Sequence, residues 1–131
     1  MGYTVNSGQF AGRYSGCEDV DLTYPGGSLV AASTGAVVGP VVELGGPKPC
    51  RLTLEVSSVS ASDSLDCIIQ GSDSNDFSTS GEYRTLATFT QNTAASKQTL
   101  SFVGARFIRA QYSLTGTTIT VAATLKGEVA F

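Results

Sequence analysis

Carboxylates dominate the side chains that could do chemistry in this sequence. Asp63, Asp66, Asp73, Asn75 and Asp76 form its densest polar cluster. Asp73-Ser74-Asn75-Asp76 opens like a calcium loop, in which carboxylate and amide oxygens at alternating positions converge on a hard cation. The likeness stops at the sixth position, where Ser78 replaces the Gly of the sharp turn, and at the twelfth, where Arg84 replaces the bidentate Glu. A solvated loop in which Asp and Asn cap their own backbone accounts for the run without a metal. Asp63 and Asp66 are the one pair that acid–base catalysis could draw on, and they sit in a turn-rich stretch.

Other catalytic devices are excluded outright. The chain has no His, which removes Ser-His-Asp and Cys-His catalytic units and every imidazole-ligated metal. Cys17, Cys50 and Cys67 are widely spaced and lack a Cys-x-x-Cys pair, so they fall short of a zinc site. They read as small buried hydrophobes, and Cys67 falls in step with Leu65 and Ile69 on one face of a strand pattern. The expectation is a protein that is not an enzyme and binds no metal or cofactor.

Two further groups could bind rather than react. Arg106 and Arg109 are expected to share a strand with Phe107 and Tyr112, with Arg84 on a neighbouring strand. Arg next to aromatic rings is enriched at interface hot spots, yet an exposed sheet face looks the same when Arg stems cover apolar area. Strand alternation sets 106 and 109 on opposite faces. Tyr24, Tyr83, Phe89 and Tyr112 are the residues that could stack on a sugar, and a core position explains each of them equally well. There is no Trp.

Charge narrows the partners. A net charge of −3 and a pI near 4.7 leave no basic footprint for a phosphate backbone, so nucleic acid is not expected. No apolar run reaches the roughly 20 residues of a membrane-spanning helix, so no membrane partner is expected. The start lacks the cationic and apolar segments of a signal peptide, which predicts assembly in the cytoplasm with reduced thiols.

These residues must be positioned by strands. Charged residues are only 15% of the 131-residue chain, and the missing charge is replaced by Ser, Thr and 15 Gly, a mixture that suits strands and turns rather than helices. Residues 1–16 read as an extended N-terminal arm whose Tyr3, Val5, Phe10 and Tyr14 must lie on their own domain or on a neighbouring subunit. Residues 17–131 read as one domain. Val20, Leu22 and Tyr24 alternate with polar neighbours, and Pro25-Gly26-Gly27 ends the run. Short β-branched runs follow at 28–32 and 37–44. Pro47, Lys48 and Pro49 cannot sit inside a central ladder and predict a loop or a sheet edge.

The period-two pattern is clearest beyond that point. Inward sets are Leu52, Leu54 and Val56, then Leu65, Cys67 and Ile69, then Tyr83, Thr85, Ala87 and Phe89. Leu100 and Phe102, then Ile108, Ala110 and Tyr112, and finally Ile119, Val121, Ala123 and Leu125 complete them. About eight short strands, each with one buried and one wet face, predict an all-β, antiparallel β-sandwich of jelly-roll or immunoglobulin-like type.

From residue 45 onwards the chain resembles small β-sandwich structural proteins of tailed bacteriophages. The likeness rests on Ile69-Gln70-Gly71-Ser72-Asp73 ending one strand, Leu86-Ala87-Thr88-Phe89-Thr90 in the next, and Ala105-Arg106-Phe107-Ile108-Arg109-Ala110 leading to the turn at Thr115-Gly116-Thr117. It implies a virion component, foremost a capsid decoration protein on the outer shell that binds major capsid protein or other virion subunits. It also implies a homo-oligomer, a trimer being the form such proteins often take. The expected interface is the arm (Tyr3, Val5, Phe10, Tyr14), the loop Pro47, Lys48 and Pro49, and Arg106 and Arg109. A tail or neck protein of the virion and a carbohydrate-binding β-sandwich module are the alternatives.

Overall fold

A computed structural model describes residues 17–25, 28–31, 35–59, 63–79, 81–116 and 119–130. The arm 1–16, and with it Tyr3, Val5, Phe10 and Tyr14, lies outside the described residues. Among the described residues ten strands follow in chain order: β1 (Cys17–Asp21), β2 (Ser28–Ala31), β3 (Gly35–Val38), β4 (Val42–Glu43), β5 (Lys48–Val59), β6 (Ser64–Ser72), β7 (Tyr83–Thr88), β8 (Ser96–Gly104), β9 (Phe107–Thr115) and β10 (Ile119–Ala130). No helix long and apolar enough to cross a membrane occurs among the described residues.

The strands form two antiparallel sheets. In the first, β10 has β5 on one side, with β8 beyond it, and β1 and β2 in line on the other. In the second, β9 has β6 on one side, with β7 beyond it, and β3 and β4 in line on the other. Taking each in-line pair as one interrupted edge strand leaves eight strands in the connection order of a jelly roll, two sheets woven from Greek keys. The immunoglobulin-like option is thereby set aside in favour of the jelly roll.

Why these residues make these strands follows from the faces they bury. Leu52, Leu54 and Val56 of β5 and Val121, Ala123 and Leu125 of β10 point inward from the first sheet. Leu65, Cys67 and Ile69 of β6 meet them from the second, beside Ile108, Ala110, Tyr112 and Leu114 of β9. Each fully buried Leu or Ile contributes about 1.5–3 kcal/mol over its exposed state. A one-residue slip would turn every one of these side chains to solvent, so the core fixes the register.

The edge of the first sheet breaks between β1 and β2, and a side chain fills the gap. The Leu22 amide donates to the Leu125 carbonyl at 2.9 Å, and the Leu125 amide donates to the Thr23 hydroxyl at 2.9 Å. Backbone groups of a central strand are thus satisfied although the neighbouring ladder has ended.

Three expectations change. Pro49 belongs to β5, a strand with neighbours on both sides, yet there it pairs with Val103 of β8, while pairing with β10 begins at Cys50. A residue without an N–H is tolerated at a strand start, where one side carries no ladder. In β7 the simple alternation fails: pairing with β6 shifts register between Ile69 and Gln70, so both Leu86 and Ala87 pack on the core while Tyr83 and Thr85 do not. Phe89 is buried but lies just past β7. Finally, Arg106 precedes β9 and sits in the turn after β8 instead of sharing a strand with Arg109.

Candidate functional site: one end of the sandwich and an outer sheet face

The start of β5, the end of β8, the start of β9 and the end of β4 meet at one end of the molecule. Gly45 at φ 81° turns the chain out of β4 in a conformation that glycine adopts without strain. The Leu44 amide donates to the Arg106 carbonyl at 2.6 Å, and Lys48 and Pro49 pair with Gly104 and Val103. The loop around Pro47, Lys48 and Pro49 and the residue Arg106, far apart in sequence, therefore stand together.

Arg106 directs its Nε and Nη2 to one carboxylate oxygen of Glu43, at 3.2 and 3.1 Å, and its guanidinium lies 5.2 Å from the centre of the Phe107 ring. Both ionic side chains are about half exposed, so the pair adds little stability. Nearby, Val103 is 63% exposed, the most exposed of the large hydrophobic residues described. It projects from the outer face beside Pro49 into an open groove of about 460 Å³ that Cys17 and Ala130 also line. Arg51 and Glu128, partners in register across β5 and β10, close its polar side. The groove thus reaches Cys17, the first of the described residues.

Arg109 lies elsewhere, on the outer face of the second sheet. Its Nε donates to Gln70 Oε1 at 2.8 Å across the β6–β9 pair, and Gln70 Nε2 donates to Gln111 Oε1 at 3.3 Å. The guanidinium stacks 4.5 Å from the Phe77 ring and 5.6 Å from the Tyr83 ring, which lean on each other at 6.0 Å. Gln70 and Phe77 were not anticipated. Phe77 carried one signal, a single aromatic in a polar loop; a buried Gln on an outward strand position carries none. Val103 was legible as the apolar residue out of phase with Leu100 and Phe102.

The acidic cluster is not assembled. Asp63 precedes β6 and Asp73 follows it, so they stand at opposite ends of a nine-residue strand. Asp66 accepts from Gln91 Nε2 at 3.1 Å, and Asp76 accepts from the Ser78 amide at 2.8 Å, the turn capping expected of a plain loop. Hydrogen bonds from Ser78 hold the Asp76 carboxyl below the usual range. Asp63 is buried, its carboxylate packed against Gly116 with no hydrogen-bond partner among the described residues. Among the described residues no three Cys, Asp or Glu gather to hold a metal.

The aromatic platform is not assembled either. Tyr112 and Phe89 are core residues, and Tyr24 is half-buried, edge-on to Tyr112 at 6.4 Å. The three cysteines are free thiols, Cys50 and Cys67 buried and Cys17 half-buried. Burial pushes the Cys67 thiol up to about 12 and raises that of Cys50.

Neither a protein-family model nor a curated protein matches the sequence. Among solved structures, the chain is similar to VP2 in the subviral particle of infectious bursal disease virus, with a TM-score of 0.63 and 9% identity over 88% of this chain and 32% of VP2. The Gx strain of the same virus gives a TM-score of 0.60 at 10% identity, over 88% of this chain and 31% of that one. The chain therefore spans about a third of the length of those viral chains. A chitosan-binding module of a chitosanase/glucanase from Paenibacillus sp. IK-5 is more distant in shape, at a TM-score of 0.45 and 16% identity over 83% of this chain and 92% of the module. At such identities the shared property is the fold.

Proposed function

We propose that this chain is a non-enzymatic structural protein of a bacteriophage virion, a decoration protein that binds the outer shell of assembled capsid subunits and stabilises it. The observation that carries this reading is the end of the sandwich where Val103 and Pro49 stand exposed in one groove with Cys17, next to the half-exposed Arg106–Glu43 pair. An apolar centre with a polar rim is the anatomy of a protein–protein contact. Pairing across β5 and β8 holds that surface rigid, so little ordering entropy is lost on docking. Binding that favours the assembled shell over free subunits stabilises it by mass action.

The likeness to VP2 supports the reading only as an instance of this fold in a subviral particle. The test is sedimentation of the purified protein with undecorated heads and, separately, with tails. The expected result is co-sedimentation with heads, reduced at least tenfold by Val103→Asp while the urea midpoint stays put. Absence from both pellets would overturn the proposal, and tail binding alone would move the protein to a different virion address.

A further inference from the structure

Arg109 is held in place but not neutralised. Its Nε is engaged by the neutral amide oxygen of Gln70, and the rings of Phe77 and Tyr83 cover it. Among the described residues no carboxylate approaches within salt-bridge distance, and Nη1 and Nη2 have no acceptor. A guanidinium stays charged under all ordinary conditions and offers five N–H donors in a fixed plane. Four of them make no hydrogen bond to a described residue. Two residues along β9, on the same outer face, Gln111 accepts from Gln70, and its own amide nitrogen makes no hydrogen bond to a described residue. Donors two residues apart on a strand stand about 7 Å from each other.

We propose, building on the adhesive role above, that Arg109 and Gln111 form a receptor for an acidic side chain of the protein partner, with Arg109 taking the carboxylate end-on through Nη1 and Nη2. The stacking rings and Gln70 fix the guanidinium before the partner arrives and strip part of its water. A carboxylate meeting it there gains more than at a freely solvated Arg. The cation itself selects the occupant: one guanidinium offering Nη1 and Nη2 side by side suits a single carboxylate, and a net charge of −3 works against a polyphosphate backbone. The reading also explains why Arg109 faces Gln70 and not an acidic residue, since an internal carboxylate would occupy the donors that the partner needs.

Two measurements test this separately from the parent reading. In the first, ¹H–¹⁵N spectra follow the side-chain signals of Arg109 and Gln111 while a ten-residue Gly-Ser peptide carrying one central glutamate, or its glutamine counterpart, is titrated in. Saturable shifts at both residues with the glutamate peptide alone are expected; no shift, or equal shifts with both peptides, would overturn the proposal. In the second, binding to undecorated heads is compared for wild type, Arg109→Gln, Arg109→Lys and the control Arg84→Gln, each checked for an unchanged urea midpoint. A tenfold or greater loss for Arg109→Gln, only partial recovery with Lys and less than twofold change for Arg84→Gln are expected. Head binding that is indifferent to Arg109→Gln would sink the receptor and leave the adhesive role intact. Peptide shifts without binding to heads or tails would sink the adhesive role and leave the receptor.

Discussion

The hydroxyl of Tyr112, buried on β9, donates to the carbonyl oxygen of Leu22 at 2.6 Å and so joins the second sheet to the edge of the first. Leu22 is in turn held to β10 through its amide and Leu125. Across an interface otherwise dominated by apolar side chains, this bond is directional. It sets how the sheets sit over one another as well as how tightly. Gly39 packs on the same carbonyl, leaving no room there for a Cβ.

Tyr112→Phe should therefore cost about 1–2 kcal/mol, the usual range when a buried acceptor loses its donor. The ring itself stays, so the edge-on contact with Tyr24 and the surrounding packing remain. Urea unfolding at pH 7 measures this as a lower midpoint at unchanged slope. An unchanged midpoint would mean that the bond makes no net contribution.

Gly127→Ala should be more damaging, though Gly127 sits in a strand where Ala is ordinarily acceptable. Gly127 lies opposite Leu52 on β5 and Val20 on β1, and a Cβ built there falls inside the contact radius of the Arg51 carbonyl oxygen. Central β10 has ladders on both sides and cannot move away. A loss of about 2–4 kcal/mol or failure to fold is expected, the scale of overpacking a rigid site. Gly81→Ala, where no atom lies near but φ is +94°, serves as the comparison and should cost about 1 kcal/mol. Equal losses for the two would refute the close-approach explanation.

Most of the fold was legible because its strands have one wet face. Leu52, Leu54 and Val56, and likewise Ile108, Ala110 and Tyr112, alternate with polar residues, and every one is buried. The pattern misled where the local rule was interrupted. The shift between Ile69 and Gln70 leaves no mark in composition, so the faces of Leu86 and Tyr83 could not be read from period two. Pro49 argued correctly against a two-sided ladder, but a strand can acquire its second neighbour one residue later, and nothing local says so. The contact candidates were legible as residue types and not as a group. Pro47 to Pro49 and Arg106 meet only because β5 pairs with β8, and Arg109 departs to the other sheet's outer face, where Gln70 and Phe77 supply what no spacing rule could.

Arg106→Ala should leave stability within about 0.5 kcal/mol of wild type, because its bond to Glu43 is made between half-exposed side chains. Salt at 1 M should remove even that difference, as screening cuts exposed pairs first. The same variant should weaken head binding if this end of the sandwich meets the shell. Thermal unfolding and sedimentation on the same preparations separate the two effects. A loss of several degrees in Tm would show that the pair has a structural role.

Alkaline stability should reveal the buried thiol of Cys67. Its folded value near 12 stands above its ordinary value of 9.0 because burial disfavours the thiolate. The unfolded chain therefore releases this proton first. Below about pH 9 both states hold it, so stability there is independent of this group. Above pH 9 the unfolded state binds fewer protons than the native one, and stability falls by up to about 1.4 kcal/mol per pH unit until the folded thiol ionises near 12. Burial also raises the Tyr112 phenol, which adds a second contribution of the same sign from about pH 10. Cys67→Ala should cost about 1 kcal/mol at pH 7 through the small cavity it leaves, yet flatten the decline between pH 9 and 10. Urea unfolding of both proteins at pH 7, 9 and 10 resolves the crossing trends. Parallel declines in wild type and variant would show that Cys67 ionises as freely in the folded protein as in the unfolded one.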